Sequence, residues 1–377
     1  MSKKRVLLLS EGFGAGHTQA AYALSSSLRK LSSDVQTKVL ELGSFLNPHV
    51  APLIINAYKK TVTNQPRLVA LMYKSQYKKP INRFTTLALH RLFYTHTRSI
   101  IRQLKPDIIV CTHPIPSAVI ARLKRLGLQV PLCTVITDYD VHGTWISPEV
   151  NRYLVSTTDV KDKLTQRGVT LEKIQVTGIP VHPNFWEHPS HDEIRQKFNL
   201  KPMPTVLVMG GGWGLMTDEI VNEYLAKWHK DIQFIYVLGN NEKSRIAMEQ
   251  SPIYQQPNIH VMGFTREVDK LMEVSDLLVT KPGGMTCSEG LAKGIPMLFH
   301  NPLPGQEQEN CQYFTDLGLG EPISSLQVVE KWMNKLLNNY SDIVQKREKH
   351  IREIEKLHPM QSARSILELV DSERVPT

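Results

Sequence analysis

A chain of 377 residues that is 41% hydrophobic and 21% charged has an ordinary globular composition and room for two domains with separate cores. Its four cysteines, Cys111, Cys133, Cys287 and Cys311, form no CxxC pair and no zinc-finger spacing, so neither a disulfide framework nor a structural metal is expected and a reducing cytoplasm fits. Of the net charge of +9, residues 42–106 alone carry +11 and no Asp or Glu, so the remainder carries −2 and a diffuse solubility charge is excluded in favour of an anionic partner at that segment.

The opening MSKKRVLLLSEGFGAGH imitates a signal peptide, but the apolar run 6–9 is soon followed by Glu11 and is too short for a secretory core. It reads as a first β-strand, 5–10. Helical spacing follows over 17–31 through Ala20, Ala21, Leu24 and Leu28, and then a strand over 37–42. Beyond the basic segment, strands are predicted at 108–111 and 132–137 with a helix at 119–126 between them, then at 153–156 and 174–177. Strand alternating with helix is the signature of a parallel sheet covered on both faces. Pro, His and charge thicken over 180–204, and the domain boundary is placed near residue 190, dividing 1–189 from 190–345. A second series then opens: strand 205–209 runs into Gly210, Gly211, Gly212 and Gly214, strand 234–238 ends at Gly239, and strand 277–280 ends in Lys281, Pro282, Gly283 and Gly284. The tail 346–377 is helical over 346–369, and the first domain is one surface it could cover. No stretch approaches the roughly 18 apolar residues that cross a bilayer as a helix.

Three places carry candidate chemistry. In the run Glu11-Gly-Phe-Gly-Ala-Gly-His17, Gly14 and Gly16 let a ligand approach the backbone at a helix N-terminus, whose free N–H groups and dipole favour an anion. The spacing GxGxGH differs from the dinucleotide fingerprint GxGxxG, although Glu41 at the end of the second strand could serve as a ribose acid and keeps an oxidoreductase reading open. His17 at that turn could take a proton from a substrate hydroxyl; a purely structural histidine is the alternative. The segment Thr137-Asp-Tyr-Asp-Val-His-Gly-Thr-Trp145 sets Asp138 and His142 close enough to share a site, with no third ligand to make a metal site persuasive. Turn capping by Asp138 and packing by Trp145 is the plainer reading. In Lys281-Pro-Gly-Gly-Met-Thr-Cys-Ser-Glu289 a glycine pair opens a helix as a phosphate cradle would, with Glu289 placed to take both hydroxyls of a ribose. Gln306, Glu307 and Asn310 follow on a proline-fixed loop, the planar hydrogen-bonding groups that read sugars.

In the basic segment, Ile81, Ala88, Leu89, Leu92, Phe93, Ile100 and Leu104 recur at helical spacing with Arg91, Arg98, Arg102 and Lys105 opposite, and Tyr58, Tyr73, Tyr77, Phe84 and Tyr94 interleaved. That mix suits an anionic membrane surface. A stripe facing the domain core with a solvated basic face is the alternative, and single-stranded nucleic acid ranks third.

The succession GFGAGHTQAA, TDYDVHGTWISPEVNRYLVST, TGIPVHPNFW, MGGGWG, GFTREVDKLMEVSDLLVTKPGGMTCSEGLAKGIPMLF and PLPGQEQEN resembles the monogalactosyldiacylglycerol synthase and processive diacylglycerol glucosyltransferase family, of glycosyltransferase family 28 type. More distantly it is similar to the lipid II-forming N-acetylglucosaminyltransferase. The resemblance implies an α/β GT-B fold, two Rossmann-like domains whose parallel sheets face a central cleft. It implies an inverting transfer of a hexose from a UDP-sugar to a diacylglycerol-type lipid at the cytoplasmic membrane face, with no metal or other cofactor. Under it, His17 resembles the general base and Asp138 an acidic partner near the acceptor. Gly211, Gly212, Phe264, Gly283, Gly284, Thr286 and Glu289 look like donor contacts, with Gln306, Glu307 and Asn310 near the sugar or ribose. The family loop commonly reads GGGH or GNGH where this chain has Gly14-Ala15-Gly16-His17. Another lipid or small-molecule acceptor, and a non-catalytic membrane-binding protein, stand as the alternative functions.

Overall fold

The computed structural model describes residues 3–64, 87, 94–212, 214, 218–354 and 360–374. Its chain divides into two compact units, one of residues 1–183, 303–306 and 357–377 and the other of residues 184–302 and 307–356.

The first unit is built on a parallel sheet in the order β2-β1-β3-β4-β5-β6, with β1 Lys4–Ser10, β2 Val35–Glu41, β3 Ile108–Cys111, β4 Leu132–Val135, β5 Arg152–Val155 and β6 Ile174–Val176. β1 is interior, with Leu7 opposite Lys38 on one side and Ile109 on the other. Its unbroken apolar run is what a strand covered on both faces requires. Leu7 and Leu9 enter a core with Ile109, Cys111, Val119 and Trp145, while Val6 and Leu8 enter another with Ala21, Leu24 and Leu28 of the helix Ala15–Leu31. The helix Gln361–Arg374 closes that second core with Ala363, Ile366, Leu369 and Val370, and Arg152 Nη1 donates to the Ser365 carbonyl at 2.7 Å.

The helix expected over 119–126 starts earlier, at Pro114, because proline fits the first helical position and His113 caps it. Of the helix expected over 81–105, positions 81–86 and 88–93 lie outside the described residues, as do Arg67, Lys74, Lys78, Lys79, Tyr73 and Tyr77. The described part is the helix Thr97–Leu104, in which Ile101 is 3% exposed and Ile100 and Leu104 pack against the same core. Here the apolar stripe faces inward and Arg102 and Lys105 face solvent.

The second unit repeats the scheme with β7 Thr205–Met209, β8 Gln233–Val237, β9 Ile259–Met262, β10 Leu277–Thr280, β11 Met297–Phe299 and β12 Gly320–Pro322, parallel in the order β12-β11-β10-β7-β8-β9. Val206, Val208, Phe234, Tyr236, Leu277 and Val279 fill its core. β9, β11 and β12 are strands the sequence reading does not anticipate. Each sheet changes its direction of growth beside its first strand, between β1 and β3 and between β7 and β10. In open α/β sheets ligands bind at such switch points, outside the carboxyl ends of the strands.

Candidate active site

Three chain segments converge at the first switch point: the helix after β1, the turn after β3 and the loop after β4. His17 lies in the first turn of Ala15–Leu31. Its Nδ1 is 2.9 Å from the Thr112 carbonyl and 2.8 Å from Thr137 Oγ1. A carbonyl only accepts, so Nδ1 carries the proton and Nε2 keeps its lone pair. Thr112 Oγ1 donates back to the His17 carbonyl at 2.8 Å, which ties the β3 turn to the helix. Burial lowers the His17 pKa to about 4, against the opposing bond to Thr112. The ring is therefore neutral near pH 7, the state in which an imidazole can accept a proton.

Asp138 is 7% exposed, and Gln306, which clusters with the first unit, donates to its Oδ2 at 2.8 Å. The same amide nitrogen reaches His142 Nε2 at 3.2 Å, so this ring accepts there and its Nδ1–H goes to Thr144 Oγ1. Asp138 and His142 thus share one hydrogen-bonded cluster. Trp145 is fully buried, its ring 6.2 Å from that of His17 and 6.0 Å from that of His142. Asp140, whose carboxylate is buried, accepts from Lys163 at 2.6 Å. Glu41 accepts from Thr18 Oγ1 at 2.8 Å, a bond that fixes β2 to the first helix and engages the carboxylate posed as a ribose ligand.

At the second switch point, Gly211 and Gly212 follow β7 while Lys281, Pro282 and Gly283 follow β10. The helix Gly284–Ala292 has Gly283 as its N-cap and no side-chain cap hydrogen bond, so the N–H groups of its first turn are unclaimed by a cap. A Cβ on Gly283 would meet nothing within 4 Å, and its φ of −75° suits any residue. The same open space surrounds Gly14, N-cap of the first helix. Protein packing requires glycine at neither position, and both leave the backbone bare to an approaching group. Gly239 is different: at φ +53° its Cβ would fall 2.8 Å from the Gly211 carbonyl, so glycine lets the loop after β8 lie against that after β7.

Thr286 and Glu289 lie on the same helix as Gly284, half-buried, and burial with the nearby Asp269 charge pushes the Glu289 carboxyl up to about 8. Asn310, 1% exposed, donates to the Pro282 carbonyl at 3.0 Å and so braces the glycine loop. Glu307 lies in the first turn of the helix Gln306–Asp316, and Phe264, 59% exposed, stands on the loop after β9. Trp213 of the MGGGWG run lies outside the described residues.

Two residues of the site escape the sequence reading. His113 caps the helix Pro114–Arg125 and stands edge to face with His17, ring centroids 4.6 Å apart. Glu11, 2% exposed, accepts from the Gly43 N–H at 2.9 Å and from the Tyr94 hydroxyl at 2.8 Å. It borders an apolar cavity of about 60 Å³ with Phe13, Ala51, Ile54, Ile55 and Ile115. A His-Pro pair directly after a strand was the available signal for His113. Glu11 stood inside the glycine run without any local sign of burial.

A family model described as monogalactosyldiacylglycerol (MGDG) synthase matches residues 17–181, and one described as glycosyltransferase family 28 C-terminal domain matches residues 205–368. A processive diacylglycerol β-glucosyltransferase of Staphylococcus epidermidis is 31% identical over 343 residues, 88% of this chain and 85% of that one. The chain belongs to the monogalactosyldiacylglycerol synthase and processive diacylglycerol glucosyltransferase family. Another member, the processive diacylglycerol β-glucosyltransferase of Bacillus subtilis, is 30% identical to this glycosyltransferase over 97% of its chain and 94% of the relative. The crystal structure of Acinetobacter baumannii MurG matches with a TM-score of 0.60 at 16% identity over 98% of this chain and 99% of that one. Anabaena HepE, solved in complex with UDP and glucose, matches with a TM-score of 0.60 at 13% identity over 98% of this glycosyltransferase and all of HepE. The fold of this family member is GT-B.

Proposed function

We propose that the protein transfers a hexose from a UDP-sugar to a diacylglycerol-type lipid with inversion at the anomeric carbon. The observation that carries this reading is the bonding of His17: Nδ1–H is spent on the Thr112 carbonyl, and Nε2 is left to take the proton of an acceptor hydroxyl. The hydroxyl oxygen forms its bond to the anomeric carbon as the bond from that carbon to UDP breaks, and UDP leaves with the electron pair. Charge developing on the diphosphate is met in this scheme by the uncapped N–H groups and dipole of Gly284–Ala292, with no resident metal or cofactor required. Glu289 takes the ribose hydroxyls, Thr286, Gly211, Gly212 and Phe264 line the donor, and Asp138, held by Gln306, stands by the acceptor. The names of the relatives support the donor sugar and the lipid class.

The same reading brings the first unit to an anionic bilayer on the cytoplasmic side through residues 42–106. No helix among the described residues is long and apolar enough to cross a membrane. What supports surface attachment is the exposure of Phe45 (52%), Leu53 (69%) and Tyr58 (41%) beside Lys59 and Lys60. The test pairs radiolabelled UDP-glucose, UDP-galactose and UDP-N-acetylglucosamine with diacylglycerol and other lipid acceptors, alongside vesicles of rising anionic content. Transfer of a hexose to diacylglycerol and salt-sensitive binding to anionic vesicles are expected. Transfer to a water-soluble acceptor only, or equal binding to neutral vesicles, would overturn the corresponding part.

A further inference from the structure

Three imidazoles cluster in the first unit, and their hydrogen bonds put the proton on Nδ1 of His17 and His142 but on Nε2 of His113. His17 donates from Nδ1 to a carbonyl and keeps a lone pair on Nε2. His142 is used at both nitrogens, by Gln306 and by Thr144. His113 accepts at Nδ1 from the Ile115 N–H at 3.2 Å, as the cap of its helix, so its proton sits on Nε2. No partner for that N–H is present among the described residues, and none for the His17 lone pair. His113 is itself only 6% exposed, held edge to face against His17 at 4.6 Å and stacked on Phe13 at 5.8 Å. The cluster thus offers one unspent acceptor and, beside it, one unspent donor on a ring clamped from two sides.

We propose that His113 is an acceptor-binding residue, donating its Nε2–H to an oxygen of the lipid next to the hydroxyl that His17 deprotonates. This rests on the transfer to a diacylglycerol-type lipid proposed above. In such a lipid the oxygen near the free hydroxyl is an ester carbonyl, a good acceptor. A two-point grip, lone pair to hydroxyl and N–H to carbonyl, aligns the attacking oxygen, whereas a single bond leaves it free to swing. It also distinguishes an acyl ester from an ether, whose oxygen is a poorer acceptor.

The test removes the N–H while keeping the cap. His113→Asn retains a side-chain oxygen for the Ile115 N–H, and replacement of His113 by Nε2-methylhistidine leaves Nδ1 untouched. Both are assayed with dioleoylglycerol and with its dialkyl ether analogue, together with UDP affinity and thermal midpoint. Loss of one hydrogen bond raises the KM for the diacyl lipid about five- to tenfold. With the ether analogue the rise is expected to shrink below about twofold, while UDP affinity and the midpoint hold. An unchanged KM for the diacyl lipid in the methylated protein overturns the proposal, as does a fall in midpoint and kcat that is the same for both lipids, which marks a structural residue. If the unmodified enzyme transfers to neither lipid, the proposed function fails and this inference falls with it.

Discussion

The Tyr94 hydroxyl donates to Glu11 Oε1 at 2.8 Å across 83 residues of sequence, and the Gly43 N–H donates to the same oxygen. Burial pushes the Glu11 carboxyl up to about 7, against the downward pull of these two bonds, and Glu41 adds to the rise. A carboxyl raised above its unfolded value stabilises the fold below that value and loses the contribution as pH climbs to the folded one. Between pH 4.5 and about 7, Glu11 therefore makes the protein less stable as pH rises. Glu11→Gln, neutral throughout, is expected to remove about 3 kcal/mol of this dependence. Urea midpoints of both proteins at pH 5 and pH 8 check it, and parallel curves would exclude the titration of Glu11 as the cause.

His17 has the opposite sign. Burial holds its pKa at about 4, below the ordinary 6.5, so the unfolded chain takes up this proton first and stability is lost as pH falls from 6.5 toward 4. Activity inherits the same low value: the acid limb of kcat/KM assigned to His17 is expected near pH 4 and not near 6.5. His17→Ala is expected to lower kcat by about 10²- to 10⁴-fold while UDP affinity holds. A rate unchanged by the substitution would remove His17 as the base.

Glu289 offers a test on the donor side. Its carboxyl is raised to about 8 by burial and by the Asp269 charge, so it holds a proton near neutrality. If its carboxylate takes the two ribose hydroxyls, UDP binding expels that proton and tightens as pH rises toward 8. Titration calorimetry in buffers of different ionisation enthalpy reads the released proton directly. Glu289→Ala is expected to weaken UDP by about 10- to 100-fold, the range of a hydrogen bond to a charged group. An unaltered affinity takes Glu289 out of the site.

The second unit contains a buried ion pair, Lys293 Nζ to Glu273 Oε2 at 2.6 Å, with Lys293 fully buried. Burial alone would raise Glu273, yet bonds from His191 and Lys293 and the Lys293 charge hold it at about 2. Arg347 stands behind them, donating to the Lys293 and Ser275 carbonyls at 3.0 and 2.7 Å. Lys293→Met leaves a buried carboxylate without its main partner and is expected to cost about 3 kcal/mol. The double variant with Glu273→Leu is expected to recover most of that loss in urea unfolding, and a purely additive result would count against pairing as the cause.

How far the sequence could be read follows from the range of the forces involved. The strands 108–111, 205–209 and 277–280 were visible because an apolar run bounded by glycine or proline is local information, and they coincide with β3, β7 and β10. β12 reads Gly-Glu-Pro and β9 is interrupted by His260, so neither shows an unbroken apolar run, and neighbouring strands define them. The glycine turns and His17 were likewise visible, because turn chemistry is written in adjacent residues. The tautomers of the three imidazoles were not, since His17 meets partners 95 and 120 residues away. The inward face of Thr97–Leu104 was undecidable for the same reason: an apolar stripe looks alike whether it meets protein or lipid, and only Ile101 in the core separates the two.

The helix Gln361–Arg374 supplies four side chains to the core beneath β1. A ribosome delivers β1 first and this helix only after the whole second unit has emerged. The core that β1 shares with the helix Ala15–Leu31 therefore lacks Ala363, Ile366, Leu369 and Val370 until the polypeptide has passed through residue 370. A nascent chain stalled before Gln361 would hold every residue of the second unit but a first-unit core still short of these four side chains.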